Sequence, residues 1–161
     1  MGKIFLLLGT NVGSLKKNLS RALSEIQEHN IRIIKKSRIY KTKPWGNSNQ
    51  PDFLNMAIEV DCNYSPSELL KVLKRIESRM GRKKTRHRWR PRIIDVDILF
   101  YGDKIVNSKI LTIPHKEFYN RTFAIKLLAE ISPDFVPPLS NKRVKNFLQG
   151  IGNEGIEIYR N

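Results

Sequence analysis

The sequence predicts an α+β sandwich, a mostly antiparallel sheet with helices packed on one face and C-terminal additions. Two observations carry this prediction. Strand-like and helix-like segments follow one another as β-α-β-β-α-β, and some of the connections between strands have the length and composition of hairpins rather than of βαβ crossovers. At 161 residues the chain suits one domain spanning 1–161, large enough to remove roughly 70% of its unfolded surface from water.

Ile4 to Leu8 is a continuous apolar run closed by Gly9-Thr10-Asn11-Val12-Gly13, which suits a buried strand and a turn. Leu15, Leu19, Leu23 and Ile26 then recur at helical spacing, predicting a helix from about Ser14 to Glu28 with Ser14 as N-cap. Ile31 to Tyr40 has the branched residues and partial alternation of a strand. The stretch from Thr42 to Pro51 reads as a loop on its Pro, Gly and Asn content. Phe53 to Cys62 alternates clearly: Leu54, Met56, Ile58, Val60 and Cys62 face one way, and Phe53, Asn55, Ala57, Glu59 and Asp61 the other, as for a strand with one core face.

The second helix has the best-marked start. Ser65-Pro66-Ser67-Glu68 sets an N-cap serine, an N1 proline and a capping-box glutamate in register, and Gly81 suits the position after a last residue at Met80. Its apolar stripe is Leu69, Val72, Leu73, Ile76 and Met80. Glu77 therefore sits near the C-terminal end, where a carboxylate opposes the helix dipole and needs a compensating partner. Ile93 to Tyr101 is again a strand, Lys104 to Thr112 has room for a short hairpin, and a third helix follows Asn120 through Phe123 to about Ile131. A short helical turn from Val144 to Leu148 completes the additions. This order matches a ferredoxin-like βαββαβ sandwich.

Thirty Lys and Arg against fifteen Asp and Glu give a net charge of +15, which predicts attraction for a polyanion. Eight of these cations lie in residues 79–92, which hold no carboxylate. The single cysteine, Cys62, excludes an intramolecular disulfide and reads as a core thiol. The apolar run at the N-terminus is too short for a signal peptide or a membrane span, so a cytoplasmic protein is expected.

Three constellations bear on chemistry. Asp95 and Asp97 stand two apart on a strand, so both carboxylates project from one face, with Cα atoms about 6.6 Å apart. Like charges so placed call for something positive between them, and Mg²⁺ with phosphate oxygens is a natural filling. A bare D-x-D is more often a solvated pair matched by lysines, but this one is fed directly by Arg82, Lys83, Lys84, Arg86, Arg88, Trp89, Arg90 and Arg92. Arginine forks suit phosphate chains, and Trp89 suits a flat ring. Phe53 and Asn55 share the non-core face of their strand and Phe123 opens the last helix, so two aromatic rings and an amide are available for a flat heterocycle. His115 has no second ligand at metal spacing. The chain also lacks G-x-x-x-x-G-K-[ST], so ATP use would not be through a P-loop.

These segments together resemble the 6-hydroxymethyl-7,8-dihydropterin pyrophosphokinase family. The resemblance runs from Leu8-Gly9-Thr10-Asn11 through Gln50-Pro51-Asp52-Phe53-Leu54-Asn55 and Trp89-Arg90-Pro91-Arg92-Ile93-Ile94-Asp95-Val96-Asp97 to Pro114-His115 and Arg121-Thr122-Phe123. It implies a ferredoxin-like sandwich and transfer of pyrophosphate from ATP to a pterin alcohol, with attack at the β-phosphorus and release of AMP. It also implies that Asp95 and Asp97 hold two Mg²⁺ ions and that Arg82 and Arg92, with Asp97, are catalytic. By the same resemblance Thr42, Pro44, Phe53, Asn55, Asp95 and Phe123 form the pterin site. Glu77, Arg88, Trp89, Arg92, Ile98, Thr112, His115 and Arg121 match ATP-side positions, and the loops around Gly46 and Lys84 are expected to close over the substrates. The chain departs from the family pattern at Thr10, Trp45, Lys74, Lys84, Arg90, Ile110 and Lys116. A monomer with no nucleic-acid or membrane partner is expected. The alternative, a basic ferredoxin-like RNA-binding module, lacks an RNP1-type run and would set paired acids beside its ligand.

Overall fold

The computed structural model describes residues 2–44, 49–82, 91–153 and 155–160. Most of the basic stretch, residues 83–90, lies outside these, as do Trp45 to Ser48, so the expected loop closure and the placement of Arg88 and Trp89 fall outside the described residues. The chain runs β1 (Ile4–Thr10), α1 (Leu15–Glu28), β2 (Arg32–Lys36), β3 (Tyr40–Thr42), β4 (Phe53–Asp61), α2 (Pro66–Arg79) and β5 (Asp95–Tyr101). After these come β6 (Val106–Asn107), β7 (Thr112–Ile113), α3 (Thr122–Ile131) and β8 (Ile156–Ile158), with short 3-10 helices at Phe118–Asn120 and Val144–Leu148.

The main sheet has the order β5-β1-β4-β3-β8, and β2 also pairs with β4. Its pairings are antiparallel, and β6 and β7 form a separate two-stranded sheet. The βαββαβ order with β1 and β4 central is the expected sandwich. The capping box predicted at Ser65 forms, with the Ser65 hydroxyl accepting from the Glu68 N–H and the Glu68 carboxylate accepting from the Ser65 N–H. Met80 is the C-cap, and Gly81 takes the left-handed conformation at φ 98° that glycine adopts without strain. Ser14 occupies the N-cap of α1 but makes no side-chain cap bond there.

Two cores sandwich the sheet. On one face Ile4, Leu6 and Leu8 pack with Leu19, Ala22 and Ile26 of α1 and Leu69, Leu73 and Ile76 of α2. On the other, Phe5, Leu7 and Ala57 pack with Ala124, Leu127 and Leu128 of α3, Phe118 and Val144. This double burial explains why β1 reads as an unbroken apolar run. It corrects the expectation that β4 has one core face: α3, one of the C-terminal additions, covers the second face, so Ala57 is fully buried and Asn55 and Glu59 are nearly so. Cys62 belongs to the first core, as expected.

Two further corrections concern strand phase. The single strand expected from Ile31 to Tyr40 is two, β2 and β3, separated around Ser37. There the Ser37 N–H donates to the Ala57 carbonyl while its hydroxyl accepts from the Ala57 N–H, both at 2.9 Å. In β5, Phe5 pairs with Phe100 and Leu6 with Ile98, which leaves Leu99 as a bulge. Alternation opposite Asp95 and Asp97 predicts Val96, Ile98 and Phe100 on one core face; Val96 and Ile98 do enter the first core, while the bulge turns Phe100 to the second. Among the described residues no helix is long and apolar enough to cross a membrane.

Candidate active site

The bulge at Leu99 lies after the acids, so Asp95 and Asp97 keep the regular phase. Asp95 pairs with Gly9 and Asp97 with Leu7 of β1, and Gly9 pairs in turn with Asn55 of β4. This sheet face is the floor of a cleft lined by Gly9, Thr42, Phe53, Asn55, Asp95 and Asp97, with Arg92, Arg121, Lys43 and Gln50 around it. Phe123, carried by the first turn of α3, also lines the cleft. Gly9 is required by close approach: a Cβ there would sit 2.7 Å from the Asn55 Oδ1 and 3.6 Å from the Phe53 ring. The Asn55 amide is fixed from the other side by a 2.6 Å hydrogen bond donated to the Thr42 hydroxyl. Both groups are buried.

The two carboxylates live in different electrostatic settings. Asp95 accepts from Arg82 Nη1 at 2.8 Å and from Arg92 Nη1 at 3.1 Å. Burial pushes its carboxyl up, but the guanidiniums of Arg92 and Arg82 outweigh burial and hold it below the usual carboxylate range. Among the described residues, Asp97 has Arg121 Nη1 at 3.6 Å and His115 Nε2 at 3.7 Å. Burial, and then the Asp95 charge, push Asp97 up to about 7.

Glu77 supports this arrangement from beneath. Its Oε1 lies 2.8 Å from Arg82 Nη1 and 3.3 Å from Lys74 Nζ, and its Oε2 accepts from the Val96 N–H at 2.8 Å. These are the compensating partners that its place near the end of α2 demanded. Burial and the Asp95 charge raise its carboxyl, while Arg82 and Lys74 pull it down.

A second cavity opens on the outer side of β5, lined by Leu70, Lys74, Ile98, Ile110, Leu111, Thr112, His115 and Lys116, and also by Asp97. Asp97 thus lies on the boundary between the two cavities. Burial, then the Arg121 charge, lower His115 to about 4, so its ring is neutral near pH 7. Its Nδ1 accepts from the Glu117 N–H at 3.1 Å, which leaves the proton on Nε2, the nitrogen that faces Asp97.

Of the residues singled out in the sequence, the structure gathers Thr42, Phe53, Asn55, Asp95, Asp97, Arg92, Arg121 and Phe123 at the first cavity. Ile98, Thr112, His115 and Asp97 line the second. Arg82 reaches the site through Asp95. Pro44 adjoins the cleft residue Lys43 but is not part of the lining, and Glu77 lies behind Asp95, only 3% exposed, lining neither cavity.

Sequence reasoning gave no role to Asn11. Its Oδ1 accepts from the Arg92 N–H at 2.7 Å, and its amide donates to the Gln50 side chain at 2.9 Å and to the Pro51 carbonyl at 3.1 Å. It therefore ties the segment entering β4 to the segment entering β5. The available signal was a polar residue in a turn immediately after a buried strand, since such residues bond to nearby backbone. Lys43 and Gln50 were likewise read only as loop.

The model of the 7,8-dihydro-6-hydroxymethylpterin-pyrophosphokinase family matches residues 5–133. The chain is 37% identical over 147 residues to the 2-amino-4-hydroxy-6-hydroxymethyldihydropteridine pyrophosphokinase of Aquifex aeolicus, covering 91% of each chain. It is 40% identical over 137 residues to the enzyme of that name from Haemophilus influenzae, covering 84% of this chain and 85% of the other. Among solved structures the fold resembles that of Plasmodium falciparum HPPK-DHPS with a TM-score of 0.74 at 18% identity, over 92% of this chain and 41% of that longer one. The match across the sheet and both acids, with relatives alike over most of their length, shows that the chain belongs to the 7,8-dihydro-6-hydroxymethylpterin-pyrophosphokinase family.

Proposed function

We propose that the two cavities are the two substrate sites of a pyrophosphoryl transfer and that Asp95 and Asp97, at their boundary, hold Mg²⁺ against the triphosphate. The chain transfers the pyrophosphoryl group of ATP to the hydroxymethyl group of 6-hydroxymethyl-7,8-dihydropterin, giving the pterin diphosphate and AMP. The observation that carries the site assignment is the position of Asp97, whose carboxylate lines both cavities at once.

In the first cavity Phe53 and Phe123 offer ring faces to a pterin, and Asn55, Thr42 and Asp95 offer hydrogen-bonding edges, with Pro44 at the rim. In the second, Ile98 and Thr112 receive the nucleoside and His115 faces the phosphates, toward which Arg92 and Arg121 reach from the lining of the first. Glu77 supports this side through Arg82, and Arg88 and Trp89 complete it from outside the described residues. The donor set suits Mg²⁺. Two carboxylates share one strand face, one of them is raised by burial and by repulsion from the other, and no further acid, His or Cys among the described residues completes a larger cluster with them. Mg²⁺ is commonly held by one or two carboxylates, with phosphate oxygens and water filling its shell. Two ions bound between Asp95, Asp97 and the triphosphate would neutralise phosphate charge and acidify the pterin hydroxyl.

The protein's own contribution is positional and electrostatic. The floor residues orient the hydroxymethyl oxygen toward the β-phosphorus. As that oxygen bonds to the β-phosphorus, the hydroxyl proton passes to solvent water and the bond from the β-phosphorus to the oxygen bridging it to the α-phosphorus breaks, so AMP departs with that bridging oxygen. Arg82 and Arg92, which neutralise Asp95 in this structure, are the cations that would face the phosphates with Mg²⁺ bound at the carboxylates. This reading takes residues 1–161 as one catalytic domain, a monomer in the cytoplasm with no nucleic-acid or membrane partner. Coupled detection of AMP tests it: release is expected only with ATP, Mg²⁺ and the pterin alcohol together, and Asp97→Ala is expected to cut turnover by at least a thousandfold while remaining folded. AMP release independent of the pterin, or wild-type turnover in the variant, would refute the assignment.

A further inference from the structure

The chain beyond residue 133 lies outside the matched family segment, yet it touches both walls of the first cavity. The 3-10 helix Val144–Leu148 belongs to the packing around α3: Val144 is buried in the second core, and Phe147, Leu148 and Ile151 pack against that core, as Phe123 does. A few residues later the chain crosses to the sheet. Lys126, one turn along α3 from Phe123, donates to the Asn153 side chain, and the Lys43 N–H donates to the Gly155 carbonyl at 3.0 Å. Ile156 then pairs with Thr42 and Ile158 with Tyr40, and the Tyr159 N–H donates to the Ile39 carbonyl at 2.9 Å.

Thr42 connects this pairing to the cleft floor. Its backbone is the register partner of Ile156, and its hydroxyl is the acceptor that fixes the Asn55 amide. Lys43, next in sequence, lines the cavity, and its aliphatic stem rests on Gly155, where an added Cβ would meet Lys43 Cγ and Cδ at 3.4 Å. Gly155 adopts φ 72°, a conformation in which a β-branched residue is strained. One segment therefore joins the helix that carries Phe123 to the strand end that carries Thr42 and Lys43.

We infer that residues 149–153 and 155–160 are a positioning strap for the heterocycle: they set the separation of Phe123 from the Thr42–Asn55 floor and so govern affinity for the pterin without touching the nucleotide cavity. The sheet order supports the separation, because β8 lies on the edge opposite β5, whose outer side forms the second cavity. The inference rests on the assignment of the first cavity to the pterin.

Deletion of residues 153–161, which removes β8, Asn153 and Gly155, tests it in steady-state kinetics with each substrate varied at saturation of the other. The expected result is a pterin KM raised at least tenfold, with the ATP KM and the turnover at saturating pterin within twofold of wild type. A folded deletion protein with an unchanged pterin KM, or with both KM values raised alike, would overturn the inference. Gly155→Val keeps the test decisive should the deletion fail to fold. It is expected to raise the pterin KM at least threefold and leave that for ATP unchanged, and no shift, or an equal shift in both, counts against the strap. A wild-type protein inactive with ATP, Mg²⁺ and the pterin alcohol would instead overturn the functional reading itself.

Discussion

Replacing Asp97 with Asn should make the metal-free protein more stable above neutral pH while destroying its activity, and the structure sets the size of the gain. The Asp97 carboxyl is raised from 3.8 to about 7 by burial and by Asp95, so roughly 3 pKa units at ~1.4 kcal/mol each give a limit of about 4 kcal/mol. Part of the burial cost remains for the buried amide that replaces the carboxyl, so the expected gain is up to about 4 kcal/mol at pH 8. Its pH dependence follows from proton counts. Near pH 3 Asp97 is protonated in both states and the variant should match wild type. From pH 4 to 7 the unfolded chain loses this proton while the native chain retains it, so the Asp97 contribution destabilises progressively as pH rises.

His115 acts in the opposite sense over much of the same window. Its pKa is lowered from 6.5 to about 4, so the native ring stays neutral while the unfolded one protonates, and its contribution, about 3 kcal/mol in full, is lost as pH falls from 6.5 to 4. In wild type the two effects largely offset one another. Asp97→Asn should uncover the histidine as a stability that climbs from pH 4 to 6.5 and then levels. Urea denaturation at half-unit pH steps in the presence of a chelator measures both curves. A variant with the wild-type profile at every pH would refute the electrostatic account of the paired acids.

Two other substitutions test different links in the chain of reasoning. Gly9→Ala sets a Cβ 2.7 Å from the Asn55 Oδ1, so the amide must move off the cleft floor; pterin affinity by equilibrium titration should fall at least tenfold, and affinity equal to wild type would show that the amide does not read the ring. Ser65→Ala removes the capping acceptor of α2 and should cost about 1 kcal/mol of unfolding free energy with both KM values unchanged. A kinetic effect there would mean that the start of α2 communicates with the site.

The features legible in the sequence were those encoded locally. The boundaries of α2 follow from Ser65, Pro66, Glu68 and Gly81, and the two acids stand out because an otherwise apolar strand does not accept charge without a purpose. The bulge in β5 was silent because Ile98, Leu99 and Phe100 are all apolar, and a slip of phase among them changes which core each enters without changing the pattern. The second core was hidden for a related reason: α3 covers a face of β4 that holds Asn55 and Glu59 as well as Ala57, so its burial cannot be seen in alternation. Asn11 was illegible because its partners, Gln50 and Arg92, are 39 and 81 residues away.

The unequal treatment of two adjacent acids is the feature that gives the site direction. Asp95 is kept ionised by two guanidiniums, whereas Asp97, with Arg121 at 3.6 Å and a neutral imidazole beside it, is raised by burial and by its neighbour's charge. On the proposed assignment a divalent cation would gain most by meeting Asp97, the less compensated of the two carboxylates. A triphosphate would gain most by meeting the arginines, whose ion pairs to Asp95 a carboxylate–metal contact would replace. Arg82 can make that exchange without losing its place, since Glu77 holds the same Nη1 at 2.8 Å. Glu77 is itself pinned to the Val96 N–H inside β5. The buried glutamate near the end of α2, an unfavourable position for a carboxylate by the helix dipole alone, is therefore an anchor that ties Arg82 to β5 independently of its pairing with Asp95.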